Sequence, residues 1–188
     1  MSIEIEKKFR LTRNQREQVL QRLPEIGAKR KGEEFEVNTL YGGESLDTTR
    51  AVLRLRRIGN RGILTYKQSL PPRLDLKFRR EDETRVADPA AMELILEALG
   101  LVPVLVYEKR RETWRLGRAE LVLDELPFGL FMEIEGSETD IREVENQLAI
   151  KRLRVEVLSY PRLVLKRGVT KGTVVESRFG STQGKTRR

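Results

Sequence analysis

The residues able to do chemistry in this chain recur two apart. Glu4, Glu6 and Lys8 form the first set, followed by Arg54 and Arg56, then Thr65 and Lys67, then Lys77, Arg79, Glu81, Glu83 and Arg85. Lys109 with Arg111, Asp124 at the end of an apolar run, and Glu133 with Glu135 complete the series. A spacing of two is the period of a β-strand, so each set shares one face. Clustered carboxylates can hold Mg²⁺ or Mn²⁺, with Mg–O distances of about 2.0–2.1 Å. Arginines fork onto phosphate oxygens and lysines add point charges, so the mixture suits a metal-bound polyphosphate. The chain has no Cys and no His, which excludes disulfides, thiolate nucleophiles, Ser–His and Cys–His mechanisms, and soft metal sites. The plain alternative is a sheet whose polar face carries only cross-strand ion pairs, each worth ~0.2–1 kcal/mol.

The opposite faces of these segments carry Ile3, Ile5, Leu53, Leu55, Leu64, Tyr66, Leu121, Leu123, Met132 and Ile134, and they need burial against helices. Three helices are predicted. Thr12 caps one over about 13–23, Asp88-Pro89 opens a second that ends at Gly100, and Ser137 caps a third reaching about Ile150. Strands are expected at 3–9, 35–40, 51–58, 63–67, 75–86, 104–114, 119–123 and 131–135, with a short one at 155–157. Glu33, Glu34 and Glu36 read as a solvated acidic edge, and Ser159-Tyr160-Pro161 opens a last apolar turn. Several antiparallel strands with one charged face can curl and close, and about eight leave room inside for a small ligand. A dry interior is ruled out, because each unpaired buried charge costs several kcal/mol against a total stability of ~5–15 kcal/mol. Such a cavity must be wet and densely paired.

At 188 residues and 38% apolar composition, the chain suits one domain with a core. It contains no apolar run of the roughly 18–20 residues that cross a bilayer, and Met1-Ser2 leads straight into the first strand, so the expectation is a cytoplasmic protein with no membrane partner. The formal net charge is +8. From Lys166 onward there are seven basic residues and one acidic, against 30 basic and 28 acidic before it. The expected organisation is therefore a domain over 1–167 and a basic, mobile tail over 168–188 able to touch polyanions.

Glu4-Ile5-Glu6-Lys7-Lys8 resembles the E-x-E-x-K signature of the CYTH superfamily, also called triphosphate tunnel metalloenzymes, which includes class IV adenylyl cyclases, thiamine triphosphatases and inorganic triphosphatases. The resemblance rests on the ordered set Leu53-Arg54-Leu55-Arg56, Thr65-x-Lys67, Arg79-x-Glu81-x-Glu83, Lys109-x-Arg111, Leu123-Asp124 and Glu133-x-Glu135. It covers about residues 3–135, with Ser159-Tyr160 as a weaker match. It implies an α+β fold: a closed antiparallel β-barrel, or tunnel, of about eight strands with a charged interior, flanked by helices. It implies that Glu4, Glu6, Glu133 and Glu135 hold Mg²⁺ or Mn²⁺. Lys8, Arg54, Arg56, Lys67, Arg79, Lys109 and Arg111 would bind the triphosphate, with Lys8, Glu81, Glu83 and Asp124 near a second metal or the reacting phosphate. A further basic residue of some members could correspond to Lys166, Arg167 or Lys171. The implied activity is metal-dependent hydrolysis of a triphosphate. Class IV adenylyl cyclase, making cyclic AMP and pyrophosphate from ATP, ranks second; a noncatalytic polyphosphate- or RNA-binding module ranks third.

Overall fold

The computed structural model describes residues 2–48, 51–71, 77–149 and 152–180. In chain order the elements are β1 (Ser2–Leu11), α1 (Arg13–Glu25), β2 (Lys29–Gly42), β3 (Ala51–Ile58), β4 (Arg61–Ser69), β5 (Lys77–Val86), α2 (Pro89–Ala98), β6 (Val102–Leu116), β7 (Ala119–Leu126), β8 (Gly129–Glu135), α3 (Glu138–Leu148), β9 (Arg154–Val155), α4 (Tyr160–Arg167), β10 (Val169–Lys171) and β11 (Val174–Ser177). Eight strands close a ring in the order β6-β2-β3-β4-β5-β1-β8-β7, with β7 returning to β6 and each neighbour antiparallel. The closed barrel flanked by helices is the expected architecture. The expected start of β5 at Asp75 lies outside the described residues.

The helices begin where their caps direct. The Thr12 hydroxyl accepts from the Gln15 N–H while the Gln15 side chain accepts from the Thr12 N–H, and Ser137 and Asp140 repeat this reciprocal cap. Asp88 accepts from the N–H groups of Ala90 and Ala91 ahead of α2. Helices α1 and α3 cover the outer faces of β1, β7 and β8, burying Val19, Leu23, Ile141, Val144 and Leu148 against Phe9, Leu121, Leu123, Met132 and Ile134. Leu96 of α2 packs with Tyr41, Leu55 and Val86. Ile3 departs from its expected burial, remaining 65% exposed at the start of β1, beyond the reach of either cluster.

One end of the barrel is apolar inside. Continuing the inward parity of each strand past the charges leads to Leu40, Leu105, Leu126 and Phe131, which form a buried cluster with Tyr107 and with Tyr160, Leu163 and Val164 of α4. Helix α4 therefore lies across this end. Tyr41, the next residue along β2, faces the outer cluster by the same alternation.

The expected mobile tail from 168 is corrected over its first ten residues. Val169–Lys171 and Val174–Ser177 form a hairpin, and β11 pairs in parallel with Leu105–Tyr107 of β6. The cause is strand length. β6 spans 15 residues, β7 covers only Arg110–Leu116 of it, and the uncovered edge needs a hydrogen-bonding partner. Arg178 pairs with Glu108 at 3.3 Å, and the Phe179 ring lies 4.4 Å from the Arg110 guanidinium. Gly168 joins α4 to this hairpin, and a Cβ there would stand 2.7 Å from the Glu176 carbonyl oxygen and 2.8 Å from that of Val164. Among the described residues no helix is long and apolar enough to cross a membrane.

Candidate active site

Most of the period-two charges turn inward, while Arg85 at the end of β5 stays exposed. A cavity of about 390 Å³ runs through the barrel, lined by Glu4, Glu6, Lys8, Arg54, Arg56, Lys67, Arg79, Glu81, Glu83, Lys109, Arg111, Glu133 and Glu135. Register brings opposite signs face to face across the strands: Glu4 opposite Arg79, Lys67 opposite Glu81, Lys8 opposite Glu133, and Arg111 opposite Asp124. On the cavity face, like charges meet where Glu6, Glu135 and Glu120 stand in a row across β1, β8 and β7. The walls differ in sign. Strands β3 and β6 contribute Arg54, Arg56, Lys109 and Arg111, while β1, β7 and β8 contribute Glu4, Glu6, Glu120, Glu133 and Glu135 with the single base Lys8.

Most of the lining bases are tied to carboxylates, while Arg54 donates to the Thr65 hydroxyl at 3.5 Å. Lys8 Nζ lies 3.0 Å from Glu133, and Lys67 Nζ reaches Glu81 at 2.9 Å and also Glu4. Arg79 reaches Glu6 at 3.2 Å and Glu4 at 3.7 Å. Arg56 spans Glu83 at 3.1 Å and Glu36 at 3.4 Å, and the Thr65 hydroxyl donates to Glu83 at 3.0 Å. Arg111 forks onto Asp124 at 2.8 and 2.6 Å and reaches Glu133 at 2.9 Å. Burial opposes the charge of the Arg111 guanidinium, but Asp124, Glu36 and Glu133 raise its pKa well above the ordinary value.

Two placements differ from what the sequence suggested. Glu36 is 0% exposed rather than part of a solvated edge. Burial pushes its pKa up, yet Lys109, Arg111, Arg56 and Arg54 together hold it far below the ordinary carboxylate range. Glu33 and Glu34 do lie on the surface, paired with Arg30 and Arg61. The signal for Glu36 was its parity with Asn38 and Leu40 on the same strand, hidden inside a run of acids. Asp124, in turn, stands behind the wall at 1% exposure, accepting from Arg111, Lys109 and Tyr160. Glu120 and Tyr107 also line the cavity; Glu120 shares the parity of Asp124, and Tyr107 that of Lys109.

The donor set suits a hard cation. Only carboxylate oxygens converge on the acidic wall, and the Glu135 carboxyl is pushed up to about 7 by burial and by the negative charge of Glu4, Glu120 and Glu81, against the pull of Lys67. A divalent cation beside it would relieve that repulsion. Among the described residues no three carboxylates stand at one point as a finished site, because Lys67 and Arg79 hold Glu4 and Glu6.

The CYTH domain profile matches residues 2–162. The chain belongs to the CYTH domain family. A Methanocaldococcus jannaschii member provisionally named adenylate cyclase is 30% identical over 151 residues, spanning 78% of this chain and 83% of that protein. The CYTH barrel seen here is also similar to the solved structure of the PH1012 protein from Pyrococcus horikoshii, at 29% identity and TM-score 0.73, covering 85% of this chain and 98% of the other. A Hippeastrum protein described as an adenylyl cyclase candidate with a dominant triphosphatase activity shares the CYTH fold at 16% identity and TM-score 0.69, covering 88% and 96%.

Proposed function

We propose that this CYTH protein is a divalent-metal-dependent enzyme that hydrolyses a triphosphate. The carrying observation is the division of one enclosed cavity into a basic wall and an acidic wall. Seven lining bases meet seven lining carboxylates, and Glu36 and Asp124 add two more acids from behind. A bare triphosphate would gain little from so acidic an interior, whereas one accompanied by cations complements both walls. Arg54, Arg56, Lys109 and Arg111 would bind and orient phosphate oxygens, and Lys67 and Arg79, now paired with Glu4 and Glu6, would turn to phosphate. Glu4, Glu6, Glu133 and Glu135 are the residues that would hold Mg²⁺ or Mn²⁺. Bound there, the ion would supply polarisation of phosphoryl oxygens and offset the charge of the leaving phosphate. Glu81 and Glu83 would orient the attacking water or accept its proton, and Lys8 would lie beside the phosphate.

The helix α4 plug supports hydrolysis over cyclisation, because it confines the organic end of any substrate to the other mouth. The rings nearest the cavity, Tyr107 and Tyr160, are 1% and 6% exposed and offer no open face to a base. Adenylyl cyclase is the second reading, favoured by the name of the 30% identical relative. Measuring phosphate release and cyclic AMP from tripolyphosphate, thiamine triphosphate and ATP with Mg²⁺ and Mn²⁺ decides between them. Phosphate release from tripolyphosphate is expected. Cyclic AMP without free phosphate would overturn hydrolysis, and tight RNA binding with no turnover would favour the binding module.

A further inference from the structure

Tyr160 is the first residue of α4, and it is where the C-terminal part of the chain touches the charged cavity. Its hydroxyl donates to Asp124 Oδ2 at 2.8 Å. Its ring centroid lies 3.6 Å from Lys8 Nζ and 5.2 Å from Lys109 Nζ. Its edge meets Phe131 at 5.4 Å between centroids, and Leu163 and Val164 seat the helix on the apolar floor. One side chain thereby contacts β1, β6, β7 and β8.

Neither half of this arrangement is needed merely to fill the core. A leucine or phenylalanine would supply the volume. The ring also gives Lys8 a π face, which matters because that ammonium is 1% exposed and its other partners are Glu133 at 3.0 Å and the Leu158 carbonyl at 3.4 Å. The hydroxyl completes the set of donors on Asp124, whose two oxygens also receive Arg111 and Lys109. A buried carboxylate with a third donor pulls less on either base, leaving both aimed into the cavity.

We propose that Tyr160 is a positioning residue of the triphosphate site, its ring fixing Lys8 and its hydroxyl fixing Asp124, and through Asp124 the bases Lys109 and Arg111. This rests on the triphosphate reading above. Asp124 correspondingly acts through Arg111 and Lys109 rather than on the reacting phosphate.

Two substitutions separate the halves. Tyr160→Phe keeps the ring and removes the hydroxyl; Tyr160→Leu removes both. With tripolyphosphate and Mg²⁺, kcat in the first should fall about tenfold with KM little changed, the loss of one hydrogen bond to a charged group. In the second, kcat should fall further, by about a hundredfold, so that phenylalanine partly rescues leucine. The active fraction is counted from the stoichiometry of tripolyphosphate binding by calorimetry, so partial unfolding is not mistaken for lost chemistry. In a double-mutant cycle Tyr160→Phe should cost little once Asp124→Asn is present. Wild-type kcat in both variants, losses confined to the active fraction, or additive losses in the cycle would overturn the proposal. If the wild type turns over no triphosphate, the functional reading fails instead. The same variants are then compared for tripolyphosphate affinity: weaker binding by tenfold or more in Tyr160→Leu sustains the positioning role, and equal affinity ends it.

Discussion

Glu36 is a carboxylate that stays ionised in the middle of a protein, and it does so because Lys109, Arg111, Arg56 and Arg54 surround it. Its folded pKa lies below its unfolded one, so its contribution to stability is complete above about pH 5 and is lost as pH falls through the acid range. Glu36→Gln strands part of the charge of Lys109 and Arg56 and should cost about 3 kcal/mol at pH 7 by urea denaturation, and much less at pH 3. Glu135 has the opposite sign. Its carboxyl is raised to about 7, so the folded state holds that proton more tightly and stability declines as pH rises from about 4.5 through 7. Glu135→Gln should therefore raise the melting temperature at pH 8, by about 2 °C once solvent screening at the mouth is allowed for, and leave it unchanged at pH 4. Residues of this kind were legible where alternation is clean, as at Glu4, Glu6, Glu133 and Glu135. Glu36 was not, because three glutamates within four residues look alike until a partner strand decides which of them faces Lys109.

Element boundaries show the same dependence on partners. The helix starts at Thr12, Asp88 and Ser137 are local chemistry and could be read directly. The length of β2 could not, since Lys29–Gly32 is strand only because β6 runs alongside it. The β10–β11 hairpin was hidden for a related reason: its short, polar strands pair with an edge of β6 that exists only in the folded barrel. Truncation after Gly168 should expose that edge and lower the melting temperature or cause aggregation, whereas truncation after Gly180 should leave both stability and turnover as they are. Helix α3 ends on Ala149 with φ at 52°, a left-handed residue that is not glycine. Ala149→Gly should stabilise the fold by about 1 kcal/mol in chemical denaturation.

Over the whole molecule, the excess of interior carboxylates makes cation and anion binding mutually dependent. Tripolyphosphate at about 100 times its Kd should add ~2.7 kcal/mol of stability in the presence of Mg²⁺. In differential scanning fluorimetry the shift with both should exceed the sum of the shifts with each, and EDTA should abolish the excess. One further consequence comes from the position of β1, which hydrogen-bonds to β5 on one side and to β8 on the other, with Glu6 aligned to Glu135 far along the chain. During synthesis the acidic face of β1 stays hydrated until a strand made more than a hundred residues later arrives. Closing the ring is then the event that strips water from every charge at once, so stopped-flow refolding should show helix formation early and a slow closure, milliseconds to seconds, whose rate changes with ionic strength.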